Sequence, residues 1–250
     1  MPEDLYAGIA DRYHLFYGKF GEYDAARIAF FRQLFKEHGV RTVLDCACGT
    51  GHDLPMFLAL GCEVEGSDIS DAMLAQACQN LTAASLDVPL HKLDYRKLPG
   101  HFGHCFDAVV CLSSSILHMP SDTEALRALQ SMCGVLRDGG ILVLTQGTSD
   151  RQWQEKPRFI LALDNAEMSR LFVIDYFGKG ARYNILDIFH GKGSGELRVW
   201  STDYPNMLLC DDHERLLREA GFATVDFYGD YDFAPYDKAT SQRLITVAQR

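Results

Sequence analysis

The chain has 250 residues, of which 47% are hydrophobic, 23% charged and 11% aromatic. This is apolar content enough for a packed core, which excludes disorder as the dominant state, and the length suits one large α/β domain or one domain with a small insertion. A net charge of −10 disfavours phosphate backbones and anionic lipid surfaces, so neither nucleic acid nor membrane is expected as a partner.

Residues 1–4 are acidic with no apolar stretch behind them, so no secretory signal is expected. No run of about 18 apolar residues follows anywhere to span a membrane. Residues 5–13 form a short amphipathic piece dense in aromatics. Ala26, Phe30, Phe31, Leu34 and Phe35 predict a helix over 23–38, stopped by Gly39. From residue 41, short apolar runs alternate with helical stretches. They give strand 42–45, helix 53–60, strand 63–68, helix 72–81 with Ser70 or Asp71 as N-cap, and strand 89–93. Strand 106–112, helix 121–136 and strand 141–145 follow. Five strands alternating with helices require right-handed crossovers, hence a parallel sheet covered on both faces.

After Gln146 the pattern changes. Runs 169–177, 181–190 and 196–204 are separated by Gly178-Lys179-Gly180 and Gly191-Lys192-Gly193-Ser194-Gly195, which predicts an antiparallel meander. It has no helix to cover a second face, so 150–205 is expected as a lid inserted within a single domain of residues 1–250. Its aromatics, Phe172, Tyr176, Phe177, Tyr183, Phe189, Trp200 and Tyr204, are expected to split into two sets, one facing a pocket and the other exposed or packed on a second copy of the chain. Helix 211–220, ended by Gly221, and strands 224–228 and 243–248 close the chain, the last two as an antiparallel pair. The eight cysteines include no C-x-x-C pair, so buried thiols and a cytoplasmic location are expected, with no metal.

The strongest chemical signal is Val43-Leu44-Asp45-Cys46-Ala47-Cys48-Gly49-Thr50-Gly51 ahead of a helix. Small residues at 47, 49 and 51 let the backbone turn sharply and approach a ligand. Asp68, at the end of the next strand, is then placed to accept both hydroxyl protons of a ribose. The competing reading is a plain strand–helix turn beside a solvated Asp68. A dinucleotide site needs a third glycine where this chain has Leu54, whose side chain crowds the place of a diphosphate. S-adenosylmethionine is therefore favoured over NAD, and an NAD-type oxidoreductase stands as the weaker alternative.

With Ser67-Asp68-Ile69-Ser70-Asp71-Ala72-Met73-Leu74, Phe106-Asp107-Ala108-Val109-Val110-Cys111-Leu112 and Arg137-Asp138-Gly139-Gly140-Ile141-Leu142-Val143, that loop resembles the class I S-adenosylmethionine-dependent methyltransferases. The resemblance is most specific to their glycine N-methyltransferase-like branch. It implies a Rossmann-like seven-stranded sheet of order 3-2-1-4-5-7-6, strand seven antiparallel, and a methyl acceptor that is a small molecule, an amine being favoured. It also implies a cofactor site. Asp45, Ala47, Gly49, Thr50 and Gly51 would form the loop under the methionine part, and Asp68 would hold the ribose. Ile69 and Met73 would sandwich the adenine, with Asp94 and Tyr95 at its amino edge. Leu112 and Ser113 would meet the cofactor's amino group, Tyr13 would close over it, and Lys19 would take its carboxylate. Helix core for Met73, a surface turn for Asp94-Tyr95 and ordinary packing for Tyr13 and Lys19 are the plain alternatives.

On the acceptor side the chain departs from the branch. Glycine methylators place a cation after strand five to grip the substrate carboxylate, whereas Thr145-Gln146-Gly147-Thr148 has none. Arg151, Arg158 or Arg182 would have to substitute from the lid. Ser113-Ser114-Ser115 also lacks the Asn/Asp-Pro-Pro-aromatic run of base methylators. His118 follows strand four and is the candidate general base, with a helix-start hydrogen bond as its plain alternative. The missing cation also leaves open a protein that binds the cofactor or a partner without catalysis.

Overall fold

The alternation of apolar runs builds the sheet that carries everything else. In the computed structural model, which describes residues 4–191 and 195–250, β1 (Thr42–Asp45), β2 (Glu63–Asp68), β3 (Leu90–Lys92), β4 (Phe106–Cys111) and β5 (Leu136–Gln146) run parallel. With β10 (Thr224–Tyr228) and β11 (Leu244–Gln249), the order is β10-β11-β5-β4-β1-β2-β3. Counted within this sheet alone it is 3-2-1-4-5-7-6, and β11 is antiparallel to both neighbours. Central strands read as nearly unbroken apolar runs because both faces are covered. One face meets α1 (Ala25–His38) and α2 (Leu54–Ala59) through Phe30, Phe31, Leu34 and Phe57. The other meets α4 (Asp122–Gly134) and α6 (Cys210–Glu219) through Leu129, Met132, Leu216 and Leu217.

Helix ends follow local chemistry. Asp24 caps α1 through the Ala26 N–H and Gly39 closes it in the left-handed region. Ser70 caps α3 (Asp71–Ala83) and Ser121 caps α4. Helix 121–136 is shorter than expected, because Val135 caps α4 and Leu136 already opens β5, within which Gly139 turns at φ +73°. Residues 5–13 are not one amphipathic helix. A turn precedes a 3₁₀ segment, Ala10–Phe16, kinked at Arg12.

The lid is a four-stranded antiparallel sheet rather than a three-stranded meander: β6 (Phe159–Asp164), β7 (Met168–Phe177), β8 (Gly180–Phe189) and β9 (Glu196–Tyr204). A short α5 (Asp150–Glu155) leads into it. The expected glycine-rich turn includes residues 192–194, which lie outside the described residues, as do residues 1–3 of the acidic start. One lid face carries Phe172, Tyr183, Ile185, Trp200 and Tyr204 toward the core. The other mixes exposed apolar side chains, Phe159, Leu161, Phe177, Leu197 and Val199, with the charged Asp175, Arg182 and Asp203. Among the described residues no helix is long and apolar enough to cross a membrane.

Candidate active site

The glycine loop and Asp68 meet as the spacing predicts. Asp68 accepts from the Gly49 N–H and the Ser70 N–H, each at 2.9 Å. Gly49 and Gly51 take φ of +54° and +76°, a region costly for residues with a Cβ. A Cβ built on Gly49 would lie 3.6 Å from Met73 Cε and 3.7 Å from Tyr13 Cε1, so these three positions converge on one narrow space. Leu54 is fully buried. Its Cδ1 would stand 3.4 Å from a Cβ on Gly51 and 3.2 Å from one on Gly66, filling the place a diphosphate needs. The site therefore fits a cofactor without phosphates. Asp45 is buried beneath the loop, which raises its carboxyl well above the ordinary range, and it accepts from the Ala47 N–H. Thr50 is buried, its carbonyl held by Asn80 of α3.

The remaining expected cofactor residues are placed less uniformly. Ile69 is 61% exposed while Met73 is 2% exposed and packed toward Gly49. Asp94 is occupied by Arg96, whose side chain and backbone both donate to it, and these bonds hold its carboxyl below the ordinary range against the opposing effect of burial. The Tyr95 hydroxyl donates to the Ser115 carbonyl at 3.1 Å. Leu112 is buried. Ser113 and Ser114 both take positive φ and donate their N–H groups to Thr145, which hooks the loop after β4 over the end of β5. Lys19 is not buried against the loop: its side chain is 84% exposed with its ammonium 3.9 Å from Glu22. The buried cation nearby is Arg27, paired at 2.9 Å with Asp53 just past the glycine loop.

A cavity of about 1540 Å³ opens beside this loop, meeting it at His52 and at Tyr13, whose ring stands against Gly49. It is bounded by residues 13–27, the loops after β4 and β5, the inner lid face and the segment 230–243. Tyr13, Lys19 and Ser113 line it. Asp45, Ala47, Gly49, Thr50, Gly51, Asp68, Ile69, Met73, Asp94, Tyr95 and Leu112 do not, and the N-terminal segment is bonded across the start of α3 beside Asp68. Asp4 accepts from Ser70 Oγ and the Ala72 N–H, and Trp200 Nε1 donates to the Leu5 carbonyl. Arg151 lines the cavity but is engaged with Glu155. Arg158 and Arg182 pair with Asp175 and Asp203 on the outer lid face, away from it.

Comparison with known proteins bears on what binds here. Residues 43–140 match the model of a methyltransferase domain family. A glycine/sarcosine N-methyltransferase from Aphanothece halophytica is 31% identical over 208 residues, covering 81% of this chain and 74% of the relative. The chain belongs to the S-adenosylmethionine-dependent methyltransferases, in their glycine N-methyltransferase-like branch. Among solved structures, a sugar N-methyltransferase from Streptoalloteichus superposes with a TM-score of 0.71 at 26% identity, covering 95% of this chain and 92% of that one. A methyltransferase from Streptomyces caelestis superposes at 0.79 with 18% identity and 98% of both chains covered. S-adenosylmethionine is accordingly the cofactor, and the oxidoreductase and non-catalytic readings fall away.

In this methyltransferase His118 does not line the cavity. Its Nε2 lies 2.6 Å from the Tyr6 hydroxyl, and burial lowers its pKa to about 4, so it is neutral at pH 7. Tyr6 does line the cavity, with its ring against Tyr13, His118 and Trp200. Sequence reasoning missed Tyr6, although its spacing of seven from Tyr13 placed both in the aromatic segment. Arg27, one turn into α1, was missed as well.

Proposed function

We propose that this methyltransferase acts on the nitrogen of a small amine held between the N-terminal segment and the lid. The observation that carries the reading is Tyr13, which lines the cavity, stands against Gly49 of the glycine loop and meets the ring of Tyr6 on the cavity wall. The named relatives act on glycine, sarcosine or sugar nitrogens, which supports an amine. The cofactor supplies an electrophilic methyl on sulfur, and transfer to a neutral amine is an in-line displacement needing alignment and desolvation more than proton removal. Residues 1–250 act as one domain, with 150–205 as the insertion that roofs the acceptor.

In this reading Gly49, Thr50, Gly51 and Asp68 hold the cofactor, Met73 flanks it and Tyr13 closes it in. Asp45, Ala47, Ile69, Asp94, Tyr95, Leu112 and Ser113 form the rest of its surroundings, and Arg27 replaces Lys19 as the cation nearest its methionine end. Tyr6 donates its proton to neutral His118, which leaves a hydroxyl lone pair to accept from the amine N–H and aim the nitrogen's own lone pair. His118 is thus a positioning residue acting through Tyr6. A methyl-release assay across pooled amines, phenols, thiols and carboxylic acids tests the reading. Turnover confined to amines, with kcat reduced about tenfold in Tyr6→Phe, is the expected result. Methylation of a phenol or thiol in preference to every amine would overturn it.

A further inference from the structure

The inner lid face carries a charge that neither the cofactor site nor the methyl-transfer chemistry uses. Arg170 on β7 is 1% exposed and bonded in bidentate fashion to Asp187 on β8, at 2.6 and 2.9 Å. The same carboxylate faces a second guanidinium, Arg12 of the N-terminal 3₁₀ segment, at 3.4 Å. Two cations therefore share one anion. The other arginines on the cavity wall each have a carboxylate of their own: Arg27 with Asp53, Arg151 with Glu155 and Arg243 with Asp230. Among the described residues, nothing accepts a hydrogen bond from Arg170 Nη1, although the atom is buried and Arg170 lines the cavity. A buried charged donor without an acceptor is costly, and an anion is the partner that best offsets it.

The position of that charge fixes the shape of what it can hold. Phe16 stacks 4.1 Å over the Arg170 guanidinium, and Phe16 in turn meets Tyr13 and Phe172. Phe172, Ile185 and Trp200 wall the way back along the lid to Tyr6. We infer that the acceptor is an amine bearing a carboxylate several bonds from its nitrogen, the carboxylate held by Arg170 and the aliphatic stretch lying on the aromatic wall. This rests on the amine reading and supplies the cation that is missing after β5, from a place set off from Tyr6 by the rings of Phe16 and Tyr13, a separation that the two bonds between glycine's nitrogen and carboxylate do not span.

The test is binding and turnover of glycine, β-alanine, 4-aminobutyrate, 5-aminopentanoate and 6-aminohexanoate, each beside the amino alcohol of equal length, on protein saturated with S-adenosylhomocysteine or S-adenosylmethionine respectively. The expected result is that a longer amino acid binds at least roughly tenfold more tightly than both glycine and its own alcohol. That preference falls toward unity in R170M and is partly kept in R170K, while S-adenosylhomocysteine affinity is unchanged. R170M/D187L covers the case in which R170M strands Asp187 and fails to fold. No preference for carboxylate over alcohol, a preference for glycine, or a preference that survives in R170M/D187L overturns the inference. Arg170-dependent binding without methylation would instead sink the amine reading and leave the carboxylate site standing.

Discussion

Asp68→Ala offers a way to separate what the carboxylate does for the fold from what it does for the cofactor. Its two oxygens accept from Gly49 and Ser70, so the substitution strands two backbone N–H groups beside a tight turn. At about 1–3 kcal/mol for each unsatisfied buried donor, partly recovered by water, stability should fall by roughly 2–4 kcal/mol. Loss of a charged acceptor for the ribose hydroxyls should weaken S-adenosylhomocysteine by about 1.5–3 kcal/mol, or roughly 10- to 150-fold, in a calorimetric titration well below the variant's Tm. The proton balance gives a second reading. Burial pushes the free Asp68 carboxyl up from its ordinary value, with the Ser70 and Gly49 N–H groups opposing. Hydroxyls donating to the ionised form would lower it again in the complex. Binding then releases a proton at pH values between the two, and affinity rises with pH across that window. Titrations in buffers of different ionisation enthalpy measure this release, which Asp68→Asn should abolish. A folded Asp68→Ala that binds S-adenosylhomocysteine as tightly as the parent would refute the placement of the ribose.

Gly49→Ala should lose about 1–2 kcal/mol of stability from its positive φ, read as a lower Tm. It should lose more in cofactor affinity, since the new methyl enters the space between Met73 and Tyr13, and unaltered binding would argue against that cradle. Trp200→Phe removes the 3.0 Å bond to the Leu5 carbonyl that ties the N-terminal segment to the lid. It should raise the cofactor Kd about 2- to 10-fold, and a shift confined to acceptor KM would mean the segment is held otherwise. His213, buried between Thr246 and Gln146, has its pKa lowered by burial to about 4. Because the unfolded chain takes up this proton near pH ~6.5, its contribution is complete above that value and is lost as pH falls from there to about 4, amounting to about 3 kcal/mol. His213→Gln should flatten the acid limb of the stability profile, and an unchanged limb would place the titration elsewhere.

How far these features are legible in the sequence depends on how local their causes are. β1, β4 and β5 are legible as apolar runs that owe little to their neighbours, whereas the polar β2 and β3 are placed by their alternation with helices and the order of the seven strands by the resemblance. The glycine loop and Asp68 are legible because βαβ geometry fixes their separation. β6 was not: Phe159-Ile160-Leu161-Ala162-Leu163 shows no alternation, because its outer side chains stay exposed while it pairs with β7. Tyr6 stands in plain sight, yet the partner that defines it, His118, is 112 residues away. Arg170 alternates with Met168 and Phe172, which already points it inward. What neutralises it depends on the register that sets Arg170 opposite Asp187. Lys19 is expected from the resemblance alone, and the burial of Arg27 against Asp53 depends on which side of α1 faces the loop, which linear order does not show.

Leu54 also bears on what this protein could become. A route from methyl donor to dinucleotide chemistry would start by shrinking that residue to glycine, yet its side chain is the common neighbour of Gly51 and Gly66. Emptying a fully buried leucine site costs about 3–5 kcal/mol before any new ligand repays it, a large share of a typical domain's total stability. Any compensating bulk at 51 or 66 would meet the remaining close contacts with Ala77, Cys48 and Leu90. The three positions therefore constrain one another, and a lineage of such chains is free to vary its acceptor through the lid while its choice of cofactor stays locked.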